Sequence, residues 1–121
     1  MKNIAIIGAG NMGGAIARGL TQGSLAGKIS VSDINEDALR NLQNFNNNIE
    51  VTTDNSANVK GADIVILAVK PWLVSQIISQ IKDSLDYKNQ IFISIAAGVS
   101  IADLQNLLDK DGEKPVIFRI I

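Results

Sequence analysis

The chain of 121 residues contains no cysteine and no histidine. Without thiols it has neither a disulfide framework nor a cysteine-held metal site, and without imidazoles no zinc site is expected. It has little excess charge of either sign, with a formal net charge of −1 and a pI near 5.2. A nucleic-acid partner, which calls for a basic surface, is therefore not expected. Long apolar runs are also missing. No stretch approaches the roughly 20 residues needed to cross a membrane, and the apolar residues after Lys2 and Asn3 are too few for a signal-peptide core. A soluble, cytoplasmic protein is the expectation. What remains is an ordinary globular balance, 46% hydrophobic and 19% charged, at a length that fits one domain with a proper core. There is no internal repeat, low-complexity tract or linker.

Within this plain composition the segment Ile4 to Ala17, IAIIGAGNMGGAIA, stands out. It reads as a buried strand, a turn at Gly8, Gly10 and Gly13, and the start of a helix. This is the G-x-G-x-x-G pattern in the strand–turn–helix context that gives it meaning. Gly8 allows the tight turn, Gly10 lets a pyrophosphate approach the backbone, and Gly13 lets the helix pack closely on the strand. The N–H groups of Asn11 and Met12 would point at the phosphates, with the helix dipole adding attraction. A second strand, Ile29 to Ser32, ends at Asp33, twenty residues beyond Gly13. A carboxylate there can accept hydrogen bonds from the adenosine ribose and repels a 2′-phosphate. Asp33 could instead cap the following helix, a role Asn35 could equally fill, with Glu36 and Asp37 in its first turn.

Strands and helices alternate along the rest of the chain. Asn11 to Thr21 reads as the first helix, with Ala15 and Ala17 toward the strand, and Gly23 and Gly27 punctuate the loop that follows. Leu39, Leu42 and Phe45 mark a second helix. Ile49 to Thr52 is a short strand, followed by a weak helical segment near Ser56 to Lys60. Ile64 to Val69 is an apolar strand of the kind covered on both faces. Pro71 suits a helix start, and Val74, Ile77, Ile78, Ile81 and Leu85 mark that helix's buried face. Ile91 to Ile95 is a fifth strand, Ile101, Leu104, Leu107 and Leu108 pattern a last helix, and Pro115 to Ile121 begins a sixth strand. The order predicts an α/β fold, a Rossmann-type doubly wound parallel sheet of about six strands with helices on both faces. Ending in the apolar run Val116 to Ile121, the chain reads as residues 1–121 of a longer protein, a dinucleotide-binding domain whose C-terminal substrate and dimerisation domain is absent.

Three motifs together resemble the pyrroline-5-carboxylate reductases: I-I-G-A-G-N-M-G at Ile6 to Gly13, A-D-I-V-I-L-A-V-K-P at Ala62 to Pro71, and S-I-A-A-G-V-S-I at Ser94 to Ile101. The resemblance runs the length of the chain. In an open parallel sheet, ligands bind at the carboxyl ends of strands, where Ala68, Val69, Lys70 and Pro71 follow the fourth strand and Ala96, Ala97 and Gly98 the fifth. Small residues there leave room for a nicotinamide ring. The resemblance implies that Ala68, Val69, Lys70 and Pro71 contact the cofactor and that Asn55 binds its adenosine end; other readings are a helix cap for Asn55, a solvated charge for Lys70 and a helix start for Pro71. Ala97 and Gly98 complete the expected cofactor-binding set of Gly8, Gly10, Asn11, Met12, Gly13, Asp33, Asn55 and the Ala68–Pro71 run. NAD(P)H is the implied cofactor. Asp33 favours NADH, whereas many members of the family prefer NADPH.

The implied activity is reduction of 1-pyrroline-5-carboxylate, a cyclic imino acid, to L-proline in proline biosynthesis. A protonated imine is already electrophilic, so the protein mainly positions two reactants. No catalytic residue is assigned, and Lys70 is the candidate for electrostatic help. The resemblance also implies homo-oligomers formed through the C-terminal domain. Two alternatives stand beside it: an NAD(P)-dependent reductase of another small substrate, including a deazaflavin-dependent NADP reductase, and a non-catalytic dinucleotide-sensing module.

Overall fold

The first strand, β1 (Lys2–Ile7), serves two cores because successive side chains leave a strand on opposite faces. Ile4 and Ile6 pack with Ala17, Leu39 and Leu42, while Ile7 packs on the other side with Leu67, Ile78 and Leu104. The structure, a computed structural model, describes residues 2–23 and 26–120. After β1 come α1 (Asn11–Thr21), β2 (Ala26–Ser32), α2 (Glu36–Phe45), β3 (Glu50–Thr52), α3 (Asn55–Val59) and β4 (Ile64–Leu67). A 3₁₀ turn at Pro71–Leu73 leads into α4 (Val74–Ile81), then β5 (Ile91–Ser94), α5 (Ile101–Leu108) and β6 (Val116–Arg119).

The strands form one parallel sheet in the order β3-β2-β1-β4-β5-β6. The strand β4 repeats the division of β1: Val65 and Leu67 face the core built by α3, α4 and α5, and Ile66 faces the core built by α1 and α2. Helices thus cover both faces, as the apolar strand pattern predicts. The order reverses direction between β1 and β4, and such a switch point opens a crevice at the carboxyl ends. Register places the crevice on a level floor, since Ile7 pairs with both Ser32 and Leu67, Ser32 with Thr52, and Leu67 with Ser94.

Several local expectations are corrected. The fourth strand ends at Leu67 rather than Val69: Ala68 N–H still donates to Ile7 O at 2.8 Å, and the chain then turns away ahead of Pro71. Pro71 begins a 3₁₀ turn before the α-helix, because its ring fixes φ without obliging a full α turn. Leu85 is buried from an extended residue after a second 3₁₀ turn, Lys82–Ser84, and not from the helix. The buried side of α1 is Gly13, Gly14 and Ala17, leaving Ala15 exposed. Phe45 lies half-exposed at the end of α2, where the Arg18 guanidinium sits 5.7 Å from its ring centroid. Gly27 lies inside β2, next to an irregularity in its pairing with β1. The sixth strand spans Val116–Arg119, and Ile121 lies outside the described residues.

Candidate functional site

The glycine turn is dictated by contacts no other residue could meet. Gly8 has φ +110°, and a Cβ there would stand 2.4 Å from Ala68 O; its N–H donates to Ser32 O at 2.8 Å. A Cβ on Gly13 would fall 1.9 Å from Gly8 O, so α1 can lie this close to the turn only without a side chain. Gly10 differs from both. A Cβ built on it meets nothing within 4 Å, because its open side faces the crevice.

Gly10 is also the N-cap of α1, which therefore has no capping side chain and no acidic residue in its first turn. The side chains of Asn35, Asp54 and Ser100 cap α2, α3 and α5. The first N–H groups of α1, at exposed Asn11 and Met12, are thus left for a partner outside the helix, at the end where the dipole favours an anion.

Beside this turn, Asp33 Oδ2 accepts a hydrogen bond from Ala9 N–H at 2.7 Å and Oδ1 accepts one from Asn35 N–H at 2.9 Å. The cap of α2 is Asn35, whose Oδ1 accepts from Ala38 N–H, so Asp33 is not a cap but a carboxylate tied to the glycine turn. Asn55 is not a cap either. That role in α3 belongs to Asp54, and Asn55 Nδ2 donates to Gln80 Oε1 at 2.9 Å.

These groups line one cleft of about 730 Å³ over the switch point. Of the residues expected to hold a cofactor, Gly8, Gly10, Asn11, Met12, Asp33, Asn55, Ala68, Val69, Lys70, Pro71 and Ala97 form its walls. Gly13 supports the turn from behind. Gly98 does not line the cleft; with φ +79° it serves the bend after β5. Lys70 is exposed and has no ion-pair partner among the described residues.

The model of the family described as NADP oxidoreductase, coenzyme F420-dependent, matches residues 3–98, which include the glycine turn, Asp33 and the Ala68–Pro71 wall. The chain belongs to this family. Among curated relatives of this NADP oxidoreductase family member, the pyrroline-5-carboxylate reductase of Methanosarcina acetivorans is 38% identical over 109 residues, covering 88% of this chain and 40% of that protein. The enzyme of the same name from Haemophilus influenzae is 39% identical over 110 residues, covering 88% of this chain and 39% of that protein. Among solved structures, a pyrroline-5-carboxylate reductase from Coxiella burnetii superposes with a TM-score of 0.85 at 32% identity, covering 98% of this chain and 43% of that one. The resemblance to pyrroline-5-carboxylate reductases read from the motifs therefore holds along most of the chain. The chain spans about 40% of the length of these two curated relatives.

Sequence reasoning missed one wall. Leu73, Gln76, Ile77 and Gln80 line the cleft from α4 and the turn before it. Their spacing of three and four residues is a helical stripe, adjacent to the buried stripe of Val74, Ile78 and Ile81. The signal was present in Ile77, expected in the core but only partly buried, and in two glutamines four residues apart on that stripe. Ile34, 88% exposed beside Asp33, was likewise overlooked.

Proposed function

We propose that this chain is the dinucleotide-binding domain of an NAD(P)H-dependent reductase of 1-pyrroline-5-carboxylate, which forms L-proline. The observation that carries the reading is the uncapped start of α1 over Gly10, open to the cleft, with Asp33 beside it. A pyrophosphate fits this cradle: the first N–H groups of α1 have no side-chain cap, the space a Cβ on Gly10 would enter is open, and no acidic residue stands in the first turn to repel an anion. When bound, a reduced nicotinamide supplies a hydride for the C=N carbon of the imine. The chain's own groups hold and orient. The first turn of α1 takes the pyrophosphate, Asp33 accepts from the ribose hydroxyls, and Ala68, Val69 and Ala97 offer low walls that admit a flat ring. Lys70, exposed on the cleft wall, supplies positive charge. The small-molecule substrate and any homo-oligomer contacts are assigned to the rest of a longer protein, in keeping with the 40% of the relatives' length that this chain covers.

The preferred cofactor is NADH. A 2′-phosphate beside the Asp33 carboxylate is repelled by roughly 1–2 kcal/mol at a partly exposed site, or about tenfold in affinity. Calorimetric titration of the chain with both reduced cofactors tests this, and Asp33→Ser should bring the two affinities together. Tighter binding of NADPH by the unsubstituted chain would overturn the preference. A second reading, hydride exchange between NADPH and a deazaflavin, has the family's description in its favour. Reduction of pyrroline carboxylate by the full-length protein, with none of a deazaflavin, decides against it.

A further inference from the structure

Asn55 presents an unresolved need on the cleft wall. Its Nδ2 is committed to Gln80 Oε1 at 2.9 Å, while its Oδ1 is screened from solvent and has no hydrogen-bond partner. A carbonyl oxygen in that state gains whatever donor a bound molecule can bring to it. Asn55 opens α3, directly after the edge strand β3, on the same side of the glycine turn as Asp33. Lys70, the cation on the cleft wall, follows β4 on the opposite side of β1. Asp33 and Asn55 thus both present acceptors on this side of the cleft: Asp33 by its charge, and Asn55 because Gln80 holds its nitrogen.

We propose that Gln80 is a positioning residue for cofactor choice: by holding the Asn55 amide nitrogen, it leaves the Asn55 carbonyl as an acceptor that, with Asp33, favours an unphosphorylated adenosine. This rests on the dinucleotide reading given above. The ribose hydroxyls and the exocyclic amine of adenosine are donors, whereas a 2′-phosphate brings only acceptor oxygens and negative charge. With the amide free to turn, Nδ2 could meet a phosphate oxygen instead. Gln80 is exposed on α4 and takes no part in either core, so substitutions there leave the fold intact.

The test titrates the 121-residue chain with NADH, NADPH, 5′-AMP and adenosine 2′,5′-bisphosphate, in the unsubstituted form and as Gln80→Leu and Gln80→Glu, with thermal melts alongside. Gln80→Glu keeps an acceptor for Asn55 Nδ2 while adding a negative charge to the cleft wall, so absolute affinities fall for these anionic ligands, but the ratio of NADH to NADPH affinity should stay at or above that of the unsubstituted chain. Gln80→Leu releases the amide; NADH and 5′-AMP should weaken roughly five- to tenfold, while NADPH and the bisphosphate change less or tighten, at an unchanged melting temperature. Equal losses for both cofactors in Gln80→Leu, no loss at all, or the same narrowing of the NADH-to-NADPH ratio in Gln80→Glu would overturn the positioning role while leaving the dinucleotide site standing. Failure of the unsubstituted chain to bind any of the four would overturn the dinucleotide reading and this inference with it.

Discussion

Glycines that look alike in the sequence have different physical duties in the turn. Gly8 and Gly13 are required by the protein's own backbone, since a Cβ at either would press on a carbonyl oxygen at 2.4 Å and 1.9 Å. Gly10 is required by nothing within the protein. Gly8→Ala and Gly13→Ala should thus cost stability, on the order of 2–4 kcal/mol in chemical denaturation, through strain and forced separation of α1 from the sheet. Gly10→Val should leave the circular dichroism spectrum and melting temperature native-like while abolishing dinucleotide binding. Normal binding by Gly10→Val would place the phosphates elsewhere. Asp33 shows a related division of labour. Its carboxylate already accepts two backbone N–H groups, so it orders the glycine turn in addition to the ribose contact proposed for it. Asp33→Ser should accordingly lose some affinity for both cofactors in addition to narrowing the difference between them.

At the scale of elements, buried polar side chains do the joining. Asn58 in α3 donates from Nδ2 to Ile6 O at 3.0 Å and to Ser32 Oγ at 2.9 Å, tying the helix to β1 and β2. Gln90 donates to Val59 O and Ala62 O, closing the entry to β5 over the end of α3. Tyr87 links the segment before β5 to α5 by donating its hydroxyl to Leu108 O, with the Lys110 ammonium 4.2 Å from its ring centroid. Burial pushes the Tyr87 phenol up to about 12, helped by the negative charges of Asp109, Glu113 and Asp83. Because the folded state resists the phenolate, this residue's contribution is complete below the ordinary tyrosine value near 10 and is lost as pH rises toward 12. Stability should fall by up to about 2 kcal/mol across that window, and Tyr87→Phe should remove this part of the alkaline decline. Denaturant unfolding at a series of pH values checks it; an identical pH dependence in both proteins would show that the phenol is not responsible.

For the whole molecule, the exposed edge of the sheet matters most. The strand β6 carries Val116, Phe118 and, just beyond it, Ile120, each more than half exposed on an edge with unpaired backbone groups. Edges of this kind promote association between chains. The 121-residue chain should show a concentration-dependent rise in mass in light scattering, and Phe118→Lys together with Ile120→Glu should suppress it without changing dinucleotide affinity. Binding and turnover should also separate. The chain should bind dinucleotide, because the cleft at the switch point is built from its own loops, yet show almost no imine reduction. Turnover in the ordinary enzyme range of about 1–1000 per second would place the substrate site within these residues.

Local rules determined much of this molecule. The alternation of apolar strands with amphipathic segments was legible from residue types alone, because strand and helix impose periods of two and 3.6 on any buried face. The glycine turn and Asp33 were legible for a similar reason: their spacing is set by one strand–turn–helix–strand unit. The identity of the caps, Asn35 for α2 and Asp54 for α3, required the backbone, since neighbouring carboxylates and amides compete for the same N–H groups. The far wall of the cleft was settled only by tertiary structure. Asn55 and Gln80 lie 25 residues apart on different helices, and Leu73, Ile77 and Gln80 face the cleft only because α4 is rotated to bury Val74, Ile78 and Ile81. Packing against the sheet sets that rotation, and no periodicity within a single segment can disclose which neighbouring element its remaining face will meet.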